Sequence, residues 1–336
     1  MCAAPAPTLS AIASPRRVSL PLAGKLAGVV PEVERHILEP ILADIERLKR
    51  ERNAVVIAHN YMTPDIFHGV ADLRGDSLQL AKMAAETDAD VIIMAGVLFM
   101  AETAKILSPD KTVLIPDTRA GCSLADSITG ADVRRLRERH PGIPVVTYVN
   151  SSAEVKAESD ITCTSSNAVR IVESLGVERV LFVPDQYLAS WVATQTDVEV
   201  ISWDGACEVH ERFTGEQLAE LRISDPELAI IAHPECPPDV LAEADVVGST
   251  AHMTAWVAEH RPARVVLVTE CSMADNVAQE SPGTEFVRPC NMCPHMKRIT
   301  VQNIRTSLET LDHEVVVDPA IAARARTAVE AMLAVG

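Results

Sequence analysis

Short apolar runs recur along the chain, each bounded by turn-forming residues and separated from the next by an amphipathic stretch. Such runs read as strands buried on both faces of a parallel sheet, and the stretches between them as crossover helices. Three runs open similar units: Ala54 to Ala58, Val145 to Val149 and Leu228 to Ala232. Each leads into a polar group, His59-Asn60-Tyr61, Tyr148-Val149-Asn150 and His233-Pro234-Glu235. The interval from Tyr148 to the next run at Ile161 equals that from His233 to Val246. The following interval, from Ile161 to Val180, equals that from Val246 to Val265. The second and third units therefore keep register. The first is expected to depart from it, because the next apolar run after His59 does not begin until Val91. The surplus holds GDSLQLAKMAAE, a helical pattern with Leu78, Ala81 and Ala85 on one face and Asp76 or Ser77 at its N-terminal end. The first unit also reads as one strand shorter. Val113-Leu114-Ile115 runs directly toward Cys122, whereas the runs Val198 to Ile201 and Glu285 to Val287 lie ahead of Cys207 and Cys293.

The cysteines follow the same repeat. The spacing from Cys122 to Cys207 matches that from Cys207 to Cys293 to within one position. A chain of 336 residues suggests about two domains by length alone, but near-equal intervals of that size argue for one cysteine per repeated module. The expected fold is α/β: three similar α/β/α modules with short parallel sheets, pseudo-threefold around a central active site. The expected boundaries are a loosely ordered N-terminal extension over 1–32, modules over 33–126, 127–213 and 214–318, and a closing helix over 319–336. Ligand crevices in open α/β sheets lie outside the carboxyl ends of the strands, so three such modules bring their loops, and one cysteine each, to a shared centre.

Composition narrows the chemistry. Lys and Arg total 30 against 47 Asp and Glu, a net charge of −17, which disfavours a nucleic-acid backbone or an anionic membrane as partner. Aromatic residues are only 3%, so base stacking is not the main business, and no apolar stretch approaches the length of a membrane span. Prolines 5, 7 and 15 interrupt the region where a secretory signal would need a continuous apolar segment. The expected location is cytoplasmic, and there eight cysteines point to metal binding or buried thiols rather than to a disulfide framework. A structural zinc site normally takes four protein ligands. Three thiolates, Cys122, Cys207 and Cys293, instead suit a [4Fe–4S] cluster with one iron left open to substrate. Cys163, Cys236 and Cys271 read as buried thiols. Cys290 and Cys293 form a CxxC pair, which taken alone suggests a redox dithiol or half a zinc site, and a reversible Cys290–Cys293 disulfide would release a cluster bound there.

Several colinear strings resemble the A-type quinolinate synthase family of NAD biosynthesis. They include IAHNYM at 57–62, GDSLQLA at 75–81, PDTRAGCSLAD at 116–126 and TYVNSSAEVKAESD at 147–160. WDGACEVH at 203–210, HPEC at 233–236, GST at 248–250 and CPHMK at 293–297 continue the series. The resemblance implies condensation of iminoaspartate with dihydroxyacetone phosphate to quinolinate, phosphate and two waters, assisted by a [4Fe–4S] cluster on Cys122, Cys207 and Cys293. It also allows a transient contact with the L-aspartate oxidase that supplies iminoaspartate.

The candidate residues have a chemical logic of their own. His59 and His233 suit acid–base work, with Glu235 as a further base or acceptor. The phenols of Tyr61 and Tyr148 can donate to a developing oxyanion or carry a proton. Asn150 suits a carboxylate or carbonyl, and Ser77, Ser165 and Thr250 precede helical stretches whose free N–H groups attract anions. Lys156 and Lys297 are further phosphate candidates. Glu102 and Glu270 could face the centre, and His210 is either a neighbour of the cluster or exposed. Two other classes share parts of this pattern: another iron–sulfur hydro-lyase, and a redox or zinc regulator built on Cys290 and Cys293.

Overall fold

The computed structural model describes residues 26–335. Most of the expected N-terminal extension, Cys2 included, lies outside the described residues. Its last part belongs to the core, with Leu26 buried against Gly69 and Leu42. Helix α1 (Glu32–Glu51) follows, burying Leu38, Leu42, Ile45 and Leu48 at helical spacing.

Among the described residues, twelve strands form three separate four-stranded parallel sheets. The first holds β1 (Ala54–His59), β2 (Leu73–Gly75), β3 (Val91–Ala95) and β4 (Thr112–Leu114), with helices α2 (Ser77–Glu86) and α3 (Leu98–Leu107) between strands. Helix α4 (Gly130–Arg139) leads into the second sheet, β5 (Val145–Tyr148), β6 (Ile161–Cys163), β7 (Arg179–Val183) and β8 (Glu199–Ser202), connected by α5 (Ala153–Ala157), α6 (Ala168–Ser174) and α7 (Gln186–Ala193). Helix α8 (Gly215–Ser224) leads into the third, β9 (Ala229–Ala232), β10 (Val246–Val247), β11 (Arg264–Val268) and β12 (Glu285–Val287), connected by α9 (Pro238–Glu243), α10 (Thr250–His260) and α11 (Cys271–Glu280). In every sheet the spatial order is second, first, third, fourth strand. The crossovers therefore change direction beside the first strand, and the residues ending β1, β5 and β9 sit at the switch point where such sheets bind ligands.

The first module corrects two expectations. It has four strands, not three, and it keeps full register with the others. Strand β2 stands where β6 and β10 stand, and His59 to Val91 spans the same interval as Tyr148 to Val180 and His233 to Val265. The supposed surplus arises because Leu73-Arg74-Gly75 is a half-exposed edge strand with no apolar run to announce it. Helix α2 is thus the counterpart of α6 and α10. It buries Leu80, Ala81 and Ala84 rather than the face through Leu78 and Ala85, and Asp76 is its N-cap in a capping box with Gln79.

The end of the chain returns to the start. Helix α12 (Val301–Thr310) packs on α1, and Val315 N–H donates to Val113 O at 2.8 Å beside β4. Helix α13 (Pro319–Val335) lies across α5 and β6, burying Ala325, Ala328, Val329 and Met332. No helix of the described residues is long and apolar enough to cross a membrane.

Candidate active site

The repeat builds one device three times. Cys122, Cys207 and Cys293 each stand just ahead of a short 3-10 turn, at Ala125–Ser127, His210–Arg212 and Met296–Arg298. At the same distance after each cysteine a threonine, Thr129, Thr214 or Thr300, caps the next helix in a capping box with Asp132, Gln217 or Asn303. The capped helix anchors the turn, and the turn aims two backbone N–H groups at the sulfur: Leu124 and Ala125 at Cys122, Val209 and His210 at Cys207, His295 and Met296 at Cys293. Burial nevertheless dominates and raises all three thiol pKa values, that of Cys122 to about 12. Three half-buried sulfurs facing one cavity are costly as bare thiolates and suited to a cation or cluster that takes up their charge. Gly205 lets the second turn reach the centre, since a Cβ there would stand 2.5 Å from the Pro184 carbonyl oxygen.

The turns are tied to one another. Glu208 N–H donates to Ser123 Oγ at 3.2 Å, and the Glu208 carboxylate meets His295 Nε2 at 3.2 Å. All three modules thus share one collar around the cysteines.

Apart from the phosphate candidates Lys156 and Lys297, the catalytic, substrate and ligand candidates named from the sequence line one cavity. The first module contributes His59, Tyr61, Ser77 and Cys122, the second Tyr148, Asn150, Ser165 and Cys207, and the third His233, Glu235, Thr250 and Cys293. His59 and His233 are built alike. The Nδ1 of each accepts a backbone N–H two residues on, from Tyr61 at 3.2 Å and from Glu235 at 3.3 Å. The proton of each neutral ring is therefore on Nε2. Burial holds both imidazoles neutral, with pKa values lowered to about 3. Burial likewise raises the pKa of the Tyr61 and Tyr148 phenols, and Glu235 adds to it, so both remain donors.

Glu235 is the hub of these groups. Tyr148 Oη donates to its Oε1 at 2.5 Å, and His210 Nδ1 lies 3.1 Å from its Oε2. Burial pushes this carboxyl up, but His210, His233 and the Tyr148 hydroxyl outweigh it and hold the group ionised. The far side of His210 meets Thr269, whose Oγ1 is 2.9 Å from Nε2 and 2.6 Å from Tyr61 Oη. Tyr61, Thr269, His210, Glu235 and Tyr148 thus stand in series through the centre. Each step is a hydrogen bond except where His210 Nδ1 faces Glu235, a close polar contact not aligned as a hydrogen bond. His210 stacks on His233 at 4.8 Å between ring centroids.

Sequence reasoning passed over Thr269 and left His210 undecided. His210 is buried at 1% exposure, and its place three residues after Cys207 was the available signal. Nothing in the sequence marks Thr269, which reaches Tyr61 from 208 positions away. Glu270 does face the cavity, whereas Glu102 caps the N-terminus of α5 through Ala153 N–H. Both lysines are engaged with protein groups. Lys297 Nζ is engaged with Tyr61 O, Ser272 Oγ and Glu270 Oε1, and Lys156 is fully buried on Ser151 O. Ser77 and Thr250 are not caps: Asp76 and Ser249 do that work, leaving the Ser77 hydroxyl to the cavity and Thr250 Oγ1 to Asn60 at 3.0 Å. Asn150 presents a buried Oδ1 that has no protein partner.

The remaining cysteines bring a correction. Cys163 and Cys236 are buried thiols as expected, but Cys271 is not: it is disulfide-bonded to Cys290. The Cys290–Cys293 disulfide is therefore not formed, and Cys293 stays free to act as a ligand. Cys207 Sγ, His210 and Glu235 also offer ligand atoms within 4.8 Å of one another. His210 and Glu235 are already committed to Thr269, Tyr148 and each other, so the three-cysteine set is the better donor set.

The sequence model of the Quinolinate synthetase A protein family matches residues 43–334. The chain belongs to this family. It is 64% identical over 307 residues to quinolinate synthase 2 of Mesorhizobium japonicum, covering 91% of this chain and 95% of that protein. To quinolinate synthase of Agrobacterium fabrum it is 63% identical over 309 residues, covering 92% and 90%. To that of Xylella fastidiosa it is 62% identical over 295 residues, covering 87% of each chain.

Proposed function

We propose that this protein is a quinolinate synthase, condensing iminoaspartate with dihydroxyacetone phosphate to quinolinate, phosphate and two waters in the cytoplasm. The observation that carries this reading is the convergence of three equivalent cysteine turns on one cavity that also holds the buried histidines, tyrosines and Glu235. Cys122, Cys207 and Cys293 would hold a [4Fe–4S] cluster. Such a cluster supplies an open iron site with Lewis-acid character, which assists loss of water.

The chain's own groups divide the remaining work. His59 and His233 present neutral Nε2–H donors toward substrate oxygens, and Tyr61 and Tyr148 present phenol protons. Glu235 stays ionised and accepts the Tyr148 hydroxyl proton in a hydrogen bond, which orients that phenol. Asn150 orients a carboxylate, while Ser77, Ser165 and Thr250 supply hydroxyls for carboxylate and phosphate in a chain whose net charge of −17 repels anions. Enclosure of these groups excludes water and strengthens each of these contacts.

Anaerobically purified protein should contain iron and sulfide and form quinolinate from the two substrates. Absence of quinolinate from cluster-loaded protein would reject the reading. Metal retained by Cys122→Ala and Cys293→Ala would instead identify Cys207, His210 and Glu235 as a mononuclear site.

A further inference from the structure

The loop that carries Tyr61 belongs to the first module but is held from the third. Asn276 on α11 donates from Nδ2 to Asn60 O at 2.9 Å and to Met62 O at 2.8 Å. Lys297 Nζ donates to the carbonyl between them, Tyr61 O, at 3.0 Å. Two side chains of another module thus take three successive carbonyls. Only the NH2 end of the Asn276 amide can donate to carbonyls, so its orientation is fixed and its Oδ1 is left buried with no protein partner. An unpaired acceptor in a residue only 2% exposed is unfavourable, and here it accompanies the capture of both carbonyls.

Lys297 also donates to Ser272 Oγ at 2.6 Å and pairs with Glu270 Oε1 at 2.8 Å, the oxygen that accepts the Cys293 N–H at 3.3 Å. The repeat shows that a cysteine turn does not require this lysine. Four residues after Cys122 and Cys207, the equivalent positions hold Asp126 and Glu211, both acidic and exposed, and the turns form all the same. The positions equivalent to Asn276 on α3 and α7 hold Thr103 and Trp191. Thr103 Oγ1 bonds within its own helix, to Phe99 O at 2.7 Å. Donors aimed across a module boundary occur at these two places only in the module that faces Tyr61.

We propose that Lys297 and Asn276 are positioning residues for Tyr61, fixing the backbone of residues 60–62 against the third module. This rests on the reading of Tyr61 as a proton donor in quinolinate formation. Neither residue lines the active cavity, so both act through Tyr61 and not on substrate. Thr269 holds the Tyr61 hydroxyl, but the backbone sets where the ring starts from, and a shift of about 1 Å at a reacting group costs up to roughly 100-fold in rate.

The test is a pair of double-variant cycles on cluster-loaded protein. Lys297→Met keeps an unbranched side chain without the donors, and Asn276→Ala removes both amide bonds. Each should lower kcat about 10-fold with KM near wild type. In a Tyr61→Phe background the same substitutions should cost less than about twofold, because the hydroxyl they position is gone. A full further loss in that background would overturn the proposal, as would wild-type kcat in both single variants. Lys297→Met also leaves Glu270 without its cation, so Glu270→Gln is added to it. A recovered urea midpoint with kcat still low supports positioning, whereas a recovered kcat would overturn it and leave Lys297 a counter-ion. Hydrogen exchange at the Tyr61 and Met62 amides, which bond to His59 Nδ1 and His59 O, reads the loop apart from turnover. Exchange should be faster in both single variants, and unchanged rates would overturn the proposal. Wild-type kcat in Tyr61→Phe would instead refute the role of Tyr61 on which the proposal stands.

Discussion

Replacing Thr269 by valine removes one oxygen and little volume, at a residue that is 1% exposed. That oxygen joins Tyr61 Oη at 2.6 Å to His210 Nε2 at 2.9 Å. Without it two buried polar groups lose their partner, at about 1–3 kcal/mol each. Because valine fills the same space there is no cavity term, and a loss of roughly 2–6 kcal/mol follows from the two unsatisfied groups. The chemical consequence is separable from the structural one. Tyr61 and His210 then orient independently, and a loss of about 1.4–2.8 kcal/mol in transition-state stabilisation gives roughly a 10- to 100-fold lower kcat. Thr269→Ser keeps the hydroxyl, loses one methyl group and should stay within about threefold of the wild-type kcat while costing about 1 kcal/mol of stability. The assay is steady-state quinolinate formation by cluster-loaded protein, with iron content and a urea midpoint on the same preparations. A Thr269→Val protein with full iron content and wild-type kcat would refute the coupling of Tyr61 to Glu235 through Thr269 and His210.

Stability should fall as the pH drops below the ordinary histidine pKa of 6.5. Above that value both states are neutral at His59 and His233, whereas below it the unfolded chain takes protons that the native rings refuse until about pH 3. Each ring then costs about 1.4 kcal/mol per pH unit, read as a falling urea midpoint whose slope is shallower in His59→Asn. Lys49 is buried at 2% exposure between Glu46, Asp72 and Val70 O. Lys49→Met should cost about 3 kcal/mol by leaving Asp72 with the Val56 N–H but without its cation, and adding Asp72→Asn should recover part of that in the same unfolding assay. Thr300→Ala removes the cap that anchors the third cysteine turn. It should cost about 1 kcal/mol in urea unfolding, with Thr300→Ser close to wild type.

The spacing of apolar runs determined the α/β class, and the near-equal intervals between Cys122, Cys207 and Cys293 determined three modules with one such cysteine each. Both are legible because a strand buried on two faces is apolar throughout, and because repetition preserves distance along the chain. The colinear strings around Cys122, Cys207 and Cys293 determined the family. Strand β2 escaped notice because an edge strand needs hydrogen bonds to β1 but little apolar surface. Only the tertiary structure could place Thr269 between Tyr61 and His210, tie Lys297 to Glu270, or pair Cys290 with Cys271 rather than with its neighbour Cys293. Each of these depends on which loop ends meet when three sheets pack together. Periodicity carries the direction of a side chain relative to its own element, but a contact between modules is set by packing, which has no period in the sequence.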